Sequence, residues 1–92
     1  MGLLDKLKDV NEMRKQAKQI EGLLAQELVV GSSSGGKIKI TIDGNNNVKS
    51  VEVSADIAGD KSEVARHIRA ALEDMFKHHK KMLQSKFSKV MQ

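Results

Sequence analysis

The stretch "GGKIKITIDGNNNVKSVEVS", residues 35–54, decides how the chain is read. In its first half Ile38, Ile40 and Ile42 alternate with Lys37, Lys39, Thr41 and Asp43. A side-chain period of two is that of a strand with one buried face. "GNNN" (44–47) is a turn, because Gly and Asn tolerate positive φ. "VKSVEVS" then forms a second strand, with Val51 and Val53 turned inward. Just upstream, "ELVV" (27–30) is a shorter strand, so three strands follow one another through short connections.

The loop between the first two strands, "GSSSGGKI" (31–38), is one residue short of the phosphate-binding pattern G-x-x-x-x-G-K-[ST]. That motif needs a helix directly after it, because the helix N-terminus supplies the amides and the dipole that hold phosphate. Here a strand follows, and Ile38 stands where the Mg²⁺-ligating hydroxyl belongs. Gly and Ser serve a hairpin loop equally well, and a hairpin is the reading adopted.

Helical periods flank the strands. Leu3, Leu7, Val10, Met13, Ala17, Ile20 and Leu24 recur in steps of three and four, which predicts a helix from residue 3 to about 27. From Lys61 the same period returns through Val64, Ile68, Ala71, Leu72, Met75, Phe76, Leu83, Phe87 and Val90. Asp60 or Ser62 is placed to cap this second helix, with Glu63 in its first turn. The expected fold is α+β: a long N-terminal helix, a three-stranded antiparallel meander and a long C-terminal helix, as a single domain over residues 1–92.

Composition narrows function. A 92-residue chain buries only about 60–65% of its unfolded surface and has little room for a deep cleft beside its core. Without cysteine there is no disulfide framework, thiol chemistry or thiolate metal site. No run approaches the ~18–20 apolar residues of a membrane span, and the charged "MGLLDKLKDV" start is not that of a signal peptide. A soluble cytoplasmic protein is expected, without membrane attachment. The chain has no Trp or Tyr and only Phe76 and Phe87. Readers of single strands and RNA loops stack bases on aromatic rings, and this chain has almost none to offer.

Chemical constellations are absent from the sequence. His78 and His79 are adjacent and point about 100° apart on a helix, and His67 lies three turns earlier. They are read as solvated helix histidines. Glu52, Asp56, Glu73 and Asp74 have no candidate base or nucleophile beside them, and Ser32, Ser33 and Ser34 have no His placed by spacing. The expectation is a protein with no catalytic residue, no metal ligand, no cofactor and no small-molecule substrate, hence no enzyme.

Charge is more informative. From Met75 onward there are five lysines, at 77, 80, 81, 86 and 89, and no acid. At 100° per residue from Lys77, Lys81 falls at about 40°, Lys89 at about 120° and Lys86 at about 180°, while Phe76, Leu83 and Phe87 cluster at about 240–280°. Lys80 borders the apolar stripe and can snorkel past it. On the first helix Lys8, Arg14, Lys15 and Lys18 segregate in the same way from the apolar seam. Two helices that each collect their cations on one arc suggest a polyanion partner. Length adds a second partner. A helix from 62 to 90 spans about 43 Å, whereas strands of seven or eight residues span about 25 Å. The stripe of Phe76, Leu83, Phe87 and Val90 outruns the sheet, and a second copy related by a two-fold axis is expected to cover it.

These residues also carry a resemblance. "RKQAKQI" in the first helix, the hairpin "GGKIKITIDGNNNVKSVEVS" and "AALED" in the second helix resemble the YbaB/EbfC family of bacterial nucleoid-associated proteins, over about residues 3–80. The hairpin alternation together with Ala70, Ala71 and Asp74 carries the likeness. Ser54-Ala55 stands where the family usually has Asp-Pro, and a lysine-rich helical end replaces a Gly/Met/Pro-rich tail. The resemblance implies a small cytoplasmic, nucleoid-associated homodimer that binds double-stranded DNA and acts in chromosome organisation or gene regulation. Lys8, Arg14, Lys15, Lys18, Lys77, Lys80, Lys81, Lys86 and Lys89 are the expected phosphate contacts. The alternative is a dimeric helical adaptor that binds another protein and no DNA.

Overall fold

A computed structural model describes the backbone of residues 3–90 and the side chains of residues 9–88. Helix α1 (Leu3–Ala25) leads into strand β1 (Leu28–Ser32), a single 3₁₀ turn (Ser34–Gly36), strands β2 (Ile38–Asp43) and β3 (Val48–Val53), and helix α2 (Lys61–Val90). The strands form one antiparallel sheet in the order β1-β2-β3. The strands are five or six residues long, shorter than the expected seven or eight. The helices therefore outrun the sheet further than the sequence suggests.

The period-two pattern has its expected consequence in β2. Ile38, Ile40 and Ile42 are buried on one face, where Val29, Ile57, Ala71 and Met75 complete the core. Helix α2 lies across β1 and β2 on that face. Its approach depends on Gly31: a Cβ there would stand 2.2 Å from the Ala71 carbonyl oxygen and 2.5 Å from Met75 Cβ. The Asp60 carboxylate starts α2 by accepting from the amides of Ser62 (3.1 Å) and Glu63 (3.2 Å), satisfying donors that the first turn leaves free.

The β2–β3 turn is organised by Asp43, which is buried and accepts from the Asn45 amide (2.8 Å), the Asn47 amide (3.0 Å) and the Asn47 side chain (3.0 Å). These hydrogen bonds, the Asn47 side chain's first, hold its carboxyl below the ordinary Asp value. Asn46 takes the positive φ, at 67°. The same turn receives α1. The Gly44 amide donates to the Leu24 carbonyl at 2.8 Å, and the Asn45 side chain donates to the Glu21 carbonyl at 2.9 Å.

One expectation about the core is corrected. Val51 and Val53 pair with Ile40 and Ile38, so they do face the α2 side of the sheet. Helix α2 packs chiefly on β1 and β2, and Val48, Val51 and Val53 stay between 44% and 64% exposed. A bulge in the β2–β3 register makes Lys49 an extra residue, pairing Val48 with Ile42 on that same face. Helix α1 is as little covered: Val10, Met13, Ile20 and Leu23 are all exposed. The chain measures 64 × 25 × 18 Å with a radius of gyration of 18.7 Å, against about 12 Å for a compact domain of this length.

Candidate nucleic-acid interface

The outer ridge of α2 divides into two halves by charge. In the first half the cations are already matched. Arg66 makes a forked pair with Glu63 at 2.6 and 2.8 Å, and Arg69 pairs with Glu73 at 3.2 Å. In the second half Lys77, Lys80 and Lys81 are exposed, and none pairs with an acid among the described residues. Arg14, Lys15 and Lys18 of α1 are likewise exposed and unpaired among the described residues. The α1 group lies on a helical segment beyond the sheet, whereas Lys77, Lys80 and Lys81 stand on the outer ridge of a segment whose inner face, at Met75, His78, His79 and Met82, still rests on the sheet and its turn. The side chains of Lys8, Lys89 and Val90 lie outside the described residues.

Lys86 is placed differently. Its Nζ lies 2.5 Å from a Glu27 carboxylate oxygen at the entry to β1. With Phe87 it lines a cleft against Ile20, Leu23 and Leu24 of α1. At 100° per residue Lys86 lies about 60° from Ala71, on the side of α2 that faces the sheet and α1. Lys86 thus ties α2 to the α1–β1 junction, and its charge is already partnered. The four residues proposed for a dimer seam also separate. Phe76 is 59% exposed and Phe87 39% exposed, the latter beside α1, while Leu83 is half-buried.

His67 and His79 are half-buried rather than the solvated groups that their spacing suggested, His78 is exposed, and each has a partner across the fold. His78 Nδ1 donates to the Val30 carbonyl at 2.7 Å, and His79 Nε2 donates to the Gly44 carbonyl at 3.0 Å; a carbonyl only accepts, which fixes the proton on each of these nitrogens. His67 Nδ1 is 2.8 Å from Ser33 Oγ, and its other ring nitrogen is 3.6 Å from Glu63. That line of Ser, His and Glu has the residue types of an acyl-transfer triad but not its access. Ser33 is 6% exposed and its oxygen accepts from the Ile38 amide at 3.0 Å. All three histidines clamp α2 to the sheet and its loops. Sequence periodicity could not reveal these links, because their partners lie 34 to 48 residues away. Glu27 was missed for the same reason.

The "GSSSGGKI" loop behaves as a hairpin connection. It makes one 3₁₀ turn with Gly35 and Gly36 at φ 68°, and β2 begins at Ile38. Lys37, the residue at the phosphate-binding lysine position, pairs with Asp56. No group of three metal-ligating side chains occurs among the described residues, and none of the described helices is long and apolar enough to cross a membrane.

Known proteins share both the fold and the sequence. A crystal structure of an uncharacterized protein from Helicobacter pylori matches all of this chain and 99% of its own, with a TM-score of 0.78 at 16% identity, which establishes the fold alone. A nucleoid-associated protein of Hahella chejuensis is 32% identical over 85 residues, 91% of this chain and 79% of that protein. A nucleoid-associated protein of Nostoc punctiforme is 34% identical over 62 residues, 67% of this chain; the match spans about half of that relative, 54% of its length. The YbaB/EbfC DNA-binding family model matches residues 1–92. With a whole-chain match, the same helix–meander–helix order and exposed cations on both long helices, the chain belongs to the YbaB/EbfC DNA-binding family.

Proposed function

We propose that this protein binds double-stranded DNA as a homodimer, mainly through phosphates, and works on the bacterial nucleoid in chromosome organisation or gene regulation. The observation that carries the reading is the set of exposed cations, unpaired among the described residues, on the two long helices: Lys77, Lys80 and Lys81 on the outer ridge of α2, and Arg14, Lys15 and Lys18 on α1. Cations already held by acids, such as Arg66 and Lys86, cost more to move onto phosphate and make poorer contacts. Phosphate contacts position a protein on duplex without reading its sequence. Base readout rests chiefly on Arg or Asn/Gln side chains entering a groove, and the chain has only three arginines, two of them paired.

Surface area supports the homodimer. The chain exposes 7258 Å², against about 5,300 Å² for a compact monomer of its mass. The excess of about 2,000 Å² is of the size that obligate dimers cover. The apolar seam of α1 also supports the second reading, an adaptor that takes a partner helix and no DNA. A gel shift on random duplex at two salt concentrations separates them. Three or four cations per subunit would neutralise about six to eight phosphates and give a log–log salt slope of roughly −5 to −7. An adaptor gives no shift at either concentration.

A further inference from the structure

The β2–β3 turn stands between the two long helices and is held by both through a single residue, Gly44. Its carbonyl accepts from His79 Nε2 of α2 at 3.0 Å, and its amide donates to the Leu24 carbonyl of α1 at 2.8 Å. Gly44 is buried, and no other donor reaches its carbonyl among the described residues. A buried acceptor left without a partner is costly, so the His79 contact is firmly kept. The turn itself is stiff. Asp43 holds the amides of Asn45 and Asn47, and the Asn45 side chain donates to the Glu21 carbonyl of α1. A displacement on the α2 side is therefore passed to α1.

The neighbouring histidine is placed differently. His78 donates to the Val30 carbonyl of β1, which ties α2 to the sheet alone. At 100° per residue the midpoint of His78 and His79 lies about 150° from Lys77, while Lys77, Lys80 and Lys81 spread over about 100° on the opposite side. The two histidines thus fix the roll of α2 and aim its cationic ridge outward. Only His79 also fixes α1 against that ridge. The Glu27–Lys86 pair links the same two helices. It is a partly exposed ion pair, which salt weakens, whereas hydrogen bonds to backbone are screened far less.

Both groups of cations lie near this junction. Lys80 adjoins His79 in the chain, and Lys18 and Arg14 stand about 9 and 15 Å along α1 from Leu24 at 1.5 Å per residue. Such distances fall within one DNA turn of about 34 Å, so one duplex can meet both groups when the angle between the helices is held.

We propose that His79 is a positioning residue for DNA binding. Through Gly44 it sets α1 against α2, so that Arg14, Lys15 and Lys18 meet the same duplex as Lys77, Lys80 and Lys81. The inference rests on the DNA reading above and adds the device that makes two helices act as one. His79 itself contacts no DNA: it is half-buried, and its Nε2 is engaged by the carbonyl. Its effect is one of effective concentration. Once α2 is on the duplex, a fixed α1 presents its cations to phosphate, whereas a loose one must be ordered at each encounter.

Two amide side chains separate reach from polarity. The side-chain nitrogen of Gln extends to about the place of histidine Nε2 and still donates, whereas that of Asn stops near the place of Nδ1. His79→Asn should weaken binding to a random duplex about tenfold, and His79→Gln should stay within about twofold of the parent. His79→Ala, which has no donor at all, should behave as His79→Asn does. In a chain whose Arg14, Lys15 and Lys18 are replaced with Gln, His79→Asn should cost less than about twofold, because no α1 cations remain to be misplaced. A merely structural hydrogen bond would weaken both chains equally. Hydrogen exchange reads the junction without DNA: amides in the last turns of α1 should exchange faster in His79→Asn and not in His79→Gln. Equal weakening in both chains, no rescue by Gln, or α1 exchange unchanged by His79→Asn and His79→Ala overturns the role of His79 and leaves DNA binding by the parent standing. A parent that shifts no duplex at either salt concentration overturns the DNA reading and this inference with it.

Discussion

Both helices meet the sheet at a glycine, and beyond that meeting they differ. Helix α2 crosses β1 at Gly31 and then remains in contact, burying Ala71 and Met75 against the isoleucines of β2. Helix α1 touches the β2–β3 turn at Gly44, where a Cβ would stand 2.5 Å from the Leu24 carbonyl oxygen, and then leaves. Its seam from Val10 to Leu23 stays largely exposed, with Phe87 of α2 beside its end at Ile20 and Leu23. The first junction builds the core. The second fixes the direction of a projecting arm, with the Glu27–Lys86 pair and Phe87 holding the end of α2 beside it. The lesson is that the outward ridge of α2 is neutralised in its first half, by Glu63 and Glu73, and left unpaired at Lys77, Lys80 and Lys81, while the inner face rests on the sheet along both.

Substitutions at the two junctions can break this comparison. Gly31→Ala should have the largest effect, a loss of more than about 3 kcal/mol, because the intruding methyl meets helix backbone rather than a flexible side chain; urea unfolding measures it. Asp43→Asn comes next and is read against pH. The folded carboxyl has a depressed pKa, so its stabilisation is present above the ordinary value of 3.8 and is lost as pH falls through the lower folded value. The parent should therefore lose stability on acidification below about pH 4 more steeply than Asp43→Asn. Equal acid limbs in thermal melts of the two proteins would remove Asp43 from the account of the turn.

Gly44→Ala should cost about 1–3 kcal/mol and should loosen α1 while leaving the sheet intact. Hydrogen exchange would show faster amides in α1 and unchanged amides in β2. Glu27→Gln is smaller, about 0.2–1 kcal/mol, as for an exposed pair, and it should release Lys86. Replacing Lys77, Lys80 and Lys81 together with Gln should leave the melting temperature almost unchanged. It should flatten the salt slope of DNA binding by about 3 to 5, about equally on unrelated duplexes. Binding as tight as the parent's, with the same slope, would move the DNA surface to α1 or the sheet.

How far the sequence can be read follows from the range of each interaction. The alternation of Ile38, Ile40 and Ile42, the cap at Asp60 and the positive φ within "GNNN" are local effects, set within a few residues, and each occurs as the residues dictate. The segregation of lysines in an acid-free helix end is also local and equally visible. What the sequence could not decide were contacts between distant residues. Val51 and Val53 do face the α2 side, but only the path of α2 over β1 and β2 leaves them bare. Lys86 belongs to the basic run by sequence and to Glu27 by position, 59 residues away. The histidines count as polar helix residues until the fold brings backbone carbonyls to them. Backbone propensity and side-chain periodicity act along the chain and determined the elements and their order. Coverage, pairing of charges and the partners of the histidines depend on which surfaces meet, and only the tertiary structure decided those.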